Sequence, residues 1–447
     1  NNLDWGFGTI DIDDLTFQMN QGSKWAGRPN ASGPYVDFIS SFGDDGFEVE
    51  TGGDPIVLDF DRSLISVEVG HALFTIDDFF YLEGGFSIEK GSVSNVDIVT
   101  GFSDNQIPPP SQLSSLITKG VVQPGSYSRI ENYSMNYYSI GLSDVNLFVG
   151  SGPYFVDSNH DGVVNGDDER DEGAVGLVLE NLDMGLALFR DPNKVVPSMW
   201  ALSATADELS FTGVDFLTLE AKGITIEANR GSAWSGAPTT RPFVDFVSSF
   251  GADGLEVATG GDPVMLAFTS GKIGVEVAQA TFAIDQFVLV QGAFSFQKGD
   301  RYRVDINTGL SLVDTPKVLA ATTALTASGA DVSDITRFTN VEVEAMTIGM
   351  RDVNVFVGYG KPDFKSSIPV SEQPDVFGLA ITDVDLGLAI LTPTVKTVKL
   401  PSFTALKASA SEFSVAGGAD IFNLSGHDID IQVNWSSGWQ GVAGKIP

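Results

Sequence analysis

The sequence predicts an all-β protein, drawn out as an elongated β-solenoid or stacked-sheet rod built from two tandem repeats of about 208 residues. Tandem β-sandwiches, one per repeat, are the alternative. Three observations predict this. Apolar and polar residues alternate with period two through 214–228, 272–296 and 378–391, and Val, Ile, Phe and Thr fill those runs. The chain repeats itself. Segments with a helical pattern are few and short.

The repeat is plain by inspection. Residues 36–55 read VDFISSFGDDGFEVETGGDP and residues 244–263 read VDFVSSFGADGLEVATGGDP, with sixteen of twenty positions identical. Trp25 and Trp234 occupy matching places upstream. Downstream, DVNLFVG at 144–150 matches DVNVFVG at 352–358, and 176–189 matches 378–391. A period this long leans to one sandwich per unit, whereas the tight strand-turn-strand rhythm of 272–296 leans to the solenoid. Residues 1–19 then read as the tail of a preceding repeat, 20–228 as the first unit, 229–433 as the second, and 434–447, with Trp439, as the head of a following one. Such ends suit a fragment of a longer array, or a subunit whose ends complete each other head to tail.

Within each unit the expected strands run about five residues, separated by one or two Gly, Asp or Asn. The only helix candidates are Pro109–Thr118 and Pro316–Ala327, at corresponding places in the two units. The recurring Gly52–Pro55 and Gly260–Pro263 segments read as turns, because Gly-Gly and Asp-Pro are turn formers. That reading outweighs a second pair of metal sites on Asp45, Asp54, Asp253 and Asp262.

Composition narrows the partners. Of 447 residues, 59 are acidic and 25 basic, a net charge of −34. Nucleic acid is not expected as a partner, for want of basic residues to neutralise phosphates. No run is apolar enough for membrane insertion. The absence of cysteine removes disulfides, thiolate metal sites and thiol nucleophiles. The N-terminus carries no basic and apolar leader, so a targeting signal is expected to be C-terminal, removed, or on a longer parent chain.

One segment carries specific chemistry. Residues 157–168 read Asp-Ser-Asn-His-Asp-Gly-Val-Val-Asn-Gly-Asp-Asp, the spacing of a Ca²⁺ loop. Calcium needs six to eight hard oxygen ligands. Asp157, Asn159 and Asp161 offer side-chain oxygens at positions 1, 3 and 5, and Gly162 allows the turn at position 6. Val163 offers its carbonyl, Asn165 stands where water often intervenes, and Asp168 closes the set at position 12. The second unit has Lys361–Pro369 at this place, so calcium would belong to one unit only.

The loop resembles that of dockerin modules and other extracellular calcium loops. The resemblance covers these twelve residues, since the strand-like AVGLVLENL follows where a dockerin has its helix. It implies calcium ligation and not cohesin binding. The repeat motifs resemble the repeat regions of very large extracellular bacterial adhesins and surface filaments. That resemblance implies an extracellular or cell-surface location and a stalk or spacer role, with neighbouring repeats or copies of the chain as partners.

An enzyme is not expected. The three histidines, His71, His160 and His427, assemble no catalytic set, and no GxSxG, HExxH or phosphate-binding loop is present. Two rival functions stand beside the spacer. One is a self-assembling head-to-tail filament subunit. The other is a carbohydrate-binding or carbohydrate-cleaving module, in which Trp25 and Trp234 would stack on glycans; the other role for these tryptophans is packing at the junction of repeats.

Overall fold

The computed structural model describes residues 3–4, 8–23, 34–51, 54–76, 78–104, 109–160, 162, 164–395, 397–417 and 424–442. The protein is predominantly β, with 58% of residues in strands and 9% in helices, and it holds one large antiparallel sheet with no closed barrel. Thirteen long strands carry it among the described residues. They are β1 (Gly8–Asn20), β2 (Ser63–Ile76), β3 (Phe80–Val99), β4 (Arg129–Ser151), β5 (Val175–Arg190), β6 (Met199–Thr212), β7 (Leu217–Gly231), β8 (Ile273–Ile284), β9 (Val288–Asn307), β10 (Arg337–Tyr359), β11 (Phe377–Pro393), β12 (Phe403–Ala416) and β13 (Ser425–Ser436). The bounds of β3 and β9 differ by 208 residues at both ends, and so do those of β4 and β10.

The chain forms two compact units, each discontinuous in sequence. The first holds residues 1–146, 181–204 and 228–271; the second holds 147–180, 205–227 and 272–447. In the first, β1 pairs with β2 from Gly8 opposite Ile76 to Asn20 opposite Leu64, and β2 pairs with β3. In the second, β8 to β13 pair in succession, each antiparallel to the next.

The strands are 12 to 23 residues long, not about five. The Asp and Asn residues expected to end short strands lie inside long ones, in the left-handed region. Asp144 has φ 51°, Asn181 φ 52°, Asp352 φ 52° and Asp383 φ 49°. These are β-bulges, where one extra residue bends a strand and leaves its amide without a ladder partner. Side chains supply the partner. Asp183 accepts from the Asp144 amide at 3.0 Å, and Asn146 accepts from the Asn181 amide at 3.1 Å. In the second unit Asp385 accepts from Asp352 at 3.1 Å and Asn354 from Asp383 at 3.0 Å. The repeated Asp-Val-Asn motif is this pair of bulge clasps.

Each unit has its own core. In the first, Ile98, Leu113, Ile130, Phe189, Phe246 and Leu266 are fully buried together. In the second, Val318, Phe338, Val341 and Val343 form the centre. The two helix candidates fall as expected. Ser111–Leu113 is a 3-10 turn running into α2 (Ser114–Thr118), and α4 spans Thr315–Ala327. Two more helices, α1 (Phe38–Phe42) and α3 (Phe246–Phe250), lie inside the repeated motif where only turns are legible. Asp37 and Asp245 cap them by accepting the amides of Ser40 and Ser248 at 2.7 and 3.1 Å.

Candidate metal centre

A short ladder closes the base of the 157–168 loop: Phe155 pairs with Arg170 and Val156 with Glu169. Aromatic packing anchors it. Tyr154 stacks on Phe148 with ring centroids 5.0 Å apart, and Phe155 meets Tyr154 edge-on at 4.6 Å. The Tyr154 hydroxyl donates to Glu180 at 3.2 Å, and Arg170 pairs with the same carboxylate at 2.5 Å. Burial pushes the Tyr154 hydroxyl up to about 12, with Glu180 and Glu208 adding to it against Arg170. This phenol therefore stays neutral and holds its proton toward Glu180.

Inside the loop, Asp168 is the organising carboxylate. Its Oδ1 accepts the Ser158 amide at 2.9 Å, the Ser158 hydroxyl at 3.3 Å and the Asn159 amide at 3.3 Å. Its Oδ2 accepts the Asn165 amide at 3.2 Å. Desolvation opposes its ionisation, but these donors outweigh it and hold the carboxyl below its usual range. Asn165 accepts the Asp167 amide on its side-chain oxygen at 2.9 Å, and its carbonyl accepts the Asp168 amide. Gly162 has φ 86°, which only glycine adopts cheaply.

Asp157 stands apart from these. Its Oδ2 accepts the Gly162 amide at 3.2 Å, closing the turn. Its Oδ1 is buried without a hydrogen-bond partner. A carboxylate oxygen removed from water and left unpaired is costly, and a bound cation is one of the groups that would satisfy it. Asn159 and Asn165 lie on the same loop. Asp161 and Val163 lie outside the described residues. Among the described residues, no three His, Asp or Glu side chains are gathered as a ready cluster. The donor set nevertheless fits a hard cation, because it is all oxygen and includes that unpaired atom. Ser158 was not legible as a functional residue. Its hydroxyl also accepts the Glu169 amide at 2.9 Å, so it ties the two limbs of the loop together.

Among the other candidates, Asp54 and Asp262 take part in turns and Trp234 is buried. The Thr51 and Thr259 hydroxyls donate to the carbonyls of Asp54 and Asp262 at 2.7 and 2.8 Å, making the turns read from these motifs. Trp234 is 3% exposed, and its indole N–H donates to the Thr100 carbonyl at 2.9 Å. That burial leaves its ring no open face for a sugar. Trp25 lies outside the described residues. No helix among the described residues is long and apolar enough to cross a membrane.

Comparison with known proteins finds no matching family model, no similar curated protein and no similar solved structure.

Proposed function

We propose that this chain is a calcium-binding structural segment of a large extracellular protein, serving as a stalk or spacer in which tandem repeats stack as a β-rich rod. The observation that carries the reading is the buried, unpartnered Oδ1 of Asp157, at the first ligand position of a calcium-spaced loop. Asp157, Asn159, Asp161, Asn165, Asp168 and the Val163 carbonyl would hold the ion. Calcium would supply charge neutralisation and rigidity, not chemistry on a substrate. The acidic surface, at a net charge of −34, favours a cation-rich surrounding and solubility. We assign no catalytic residue.

The chain's own part is to pre-form the loop. The ladder at Phe155 and Arg170 fixes its ends, Gly162 makes its turn, and Asp168 holds its backbone amides inward. An ion that binds only the folded chain stabilises it by about 2.7 kcal/mol at a hundred times its dissociation constant.

Calorimetric titration with CaCl₂ tests the reading. One site is expected, abolished by Asp157→Ala combined with Asp161→Ala. A titration unchanged by that double substitution would sink it.

A further inference from the structure

The first unit carries a groove of about 520 Å³, and every residue lining it belongs to that unit. Two cations, Arg190 and Lys194, stand on its rim with Gln112, Ser198, Ser232 and Ser235. Its floor is apolar, with Val196 4% and Trp234 3% exposed. A turn built on the buried Asp191 shapes one wall. Asp191 Oδ1 accepts the Asn193 amide at 2.8 Å, and its Oδ2 accepts the amides of Val195 and Val196 at 2.6 and 2.9 Å. The turn holds Lys194 in the left-handed region, at φ 57°. The Asp191 carboxylate is thereby committed to the backbone.

The two cations are unusual in this chain. Acidic residues outnumber basic ones 59 to 25. Yet among the described residues neither Arg190 nor Lys194 forms an ion pair. Arg190 is held instead by Tyr138, with its guanidinium 5.9 Å from the ring centroid, and Lys90 approaches the same ring at 5.6 Å. A ring face attracts a guanidinium without occupying its in-plane N–H donors. The second unit has Thr392 and Met346 in the places of Arg190 and Tyr138, so the arrangement belongs to the first unit. The groove therefore offers guanidinium, ammonium, hydroxyl and amide donors around an apolar floor.

From this we infer that the groove binds an acidic sugar, a uronate unit of a polysaccharide. Its carboxylate lies against Arg190 and Lys194. Its ring hydroxyls meet the three serines and Gln112, and the apolar face of the ring covers the floor. A bare anion would satisfy the cations but leave most of the groove empty, whereas its volume lies in the range of small-ligand sites. An acidic peptide would also answer the cations, but it brings no set of hydroxyls for the serines. The net charge of −34 does not forbid the contact. Exposed carboxylates beyond about 8 Å are screened at physiological salt, and the two cations act at contact distance. Calcium at the 157–168 loop plays no part in it.

Calorimetric titration of the whole chain with tetragalacturonate tests it, in the presence of a chelator so that no calcium bridges the two anions. Binding is expected at one site. Arg190→Gln and Lys194→Gln, both at exposed positions, are each expected to weaken it about tenfold, the size of one lost charge-assisted hydrogen bond. The methyl-esterified oligomer, which lacks the charge, is expected to lose at least as much. Lys361→Gln removes the same charge from the second unit and is expected to leave binding unchanged. Circular dichroism and melting verify that the variants fold. A tetragalacturonate that does not bind at millimolar concentration would overturn the inference, as would binding indifferent to both groove substitutions. Sodium sulfate or a glutamate-rich peptide bound as tightly as the uronate would overturn the sugar as ligand.

Discussion

The indole N–H of Trp439 donates to the carbonyl oxygen of Thr308 at 2.8 Å, as Trp234 does to Thr100 at 2.9 Å. Phe338 packs edge-on to Trp439 and Phe102 packs against Trp234, both with ring centroids 5.6 Å apart. The two threonines are 208 residues apart and the two tryptophans 205, so one closure is made twice with a small slip in loop length. In each unit an indole from the start of the following sequence repeat covers a core laid down more than 130 residues earlier. The repeated tryptophans are lids on apolar cores.

Truncating the lid should therefore be costly. Trp234→Ala is expected to destabilise by about 3–5 kcal/mol, the usual range for emptying a large aromatic site. Trp234→Phe keeps most of the packing but strands the Thr100 carbonyl, at about 1–3 kcal/mol. Urea unfolding followed by tryptophan fluorescence and circular dichroism checks both. A loss under 1 kcal/mol for the alanine variant would contradict the lid role.

Arg129 lies between two carboxylates, at 3.3 Å from Asp97 and 2.8 Å from Asp245. Removing it leaves two mostly buried negative charges facing each other. Arg129→Met is expected to cost about 2–3 kcal/mol, somewhat under the full buried-pair figure because the guanidinium is part-exposed. Arg337→Met, at the exposed counterpart, should cost about 0–1 kcal/mol. Parallel denaturation curves decide it, and equal losses at the two sites would refute the distinction.

The pH dependence follows from the same cluster. Burial works against ionisation of Asp245, but the Ser248 amide, the Arg129 guanidinium and the Ser248 hydroxyl outweigh it, so its folded pKa lies below the ordinary value. A depressed carboxylate contributes stability that is complete above the unfolded pKa near 4 and is lost as pH falls through the folded value. Asp305 is depressed too, chiefly by Arg337 and the Asn340 amide. Stability should hold from neutral pH down to about 4 and then decline. In Arg129→Met the folded pKa of Asp245 is less depressed, so less stability is left to lose in acid and the acid limb should be shallower. Stability measured at several pH values for both proteins tests this, and superimposable acid limbs would refute it.

The bulge residues invite a backbone test. Asp144 at φ 51° and Asp352 at φ 52° hold a conformation that β-branched residues resist. Asp144→Val is expected to cost about 1–3 kcal/mol, whereas Asp144→Asn, tolerant of the left-handed region, should be nearly neutral. Thermal melting of the two variants separates them. Equal melting temperatures would show that the bulge imposes no strain.

Much of this was legible before any coordinates. Period-two alternation gave the strands because side chains on a pleated backbone must alternate between faces. The helix candidates at 109–118 and 316–327 were legible at corresponding places in the two units, and helices stand at Ser114–Thr118 and Thr315–Ala327. Strand length was not. Asp, Asn and Gly favour the left-handed region both in turns and in bulges, so Asp144 and Asn181 read as chain reversals when they are bends within one strand. Helices α1 and α3 were missed because five residues are too few to show a period, although Asp37 and Ser40, like Asp245 and Ser248, have capping spacing. In the candidate metal centre the ligand spacing was legible and Ser158 was not, since a hydroxyl that ties two limbs of a loop leaves no pattern along one of them.

By itself the sequence determined the β character, the 208-residue period, the acidic charge and the oxygen-donor spacing of residues 157–168. These are local or additive properties, fixed by which residue stands at which position. Only the tertiary structure decided that Trp234 is sealed rather than displayed, and that Asp157 Oδ1 is buried without a partner. Burial is a property of what lies across from a residue, and what lies across is set by chain brought in from more than a hundred positions away.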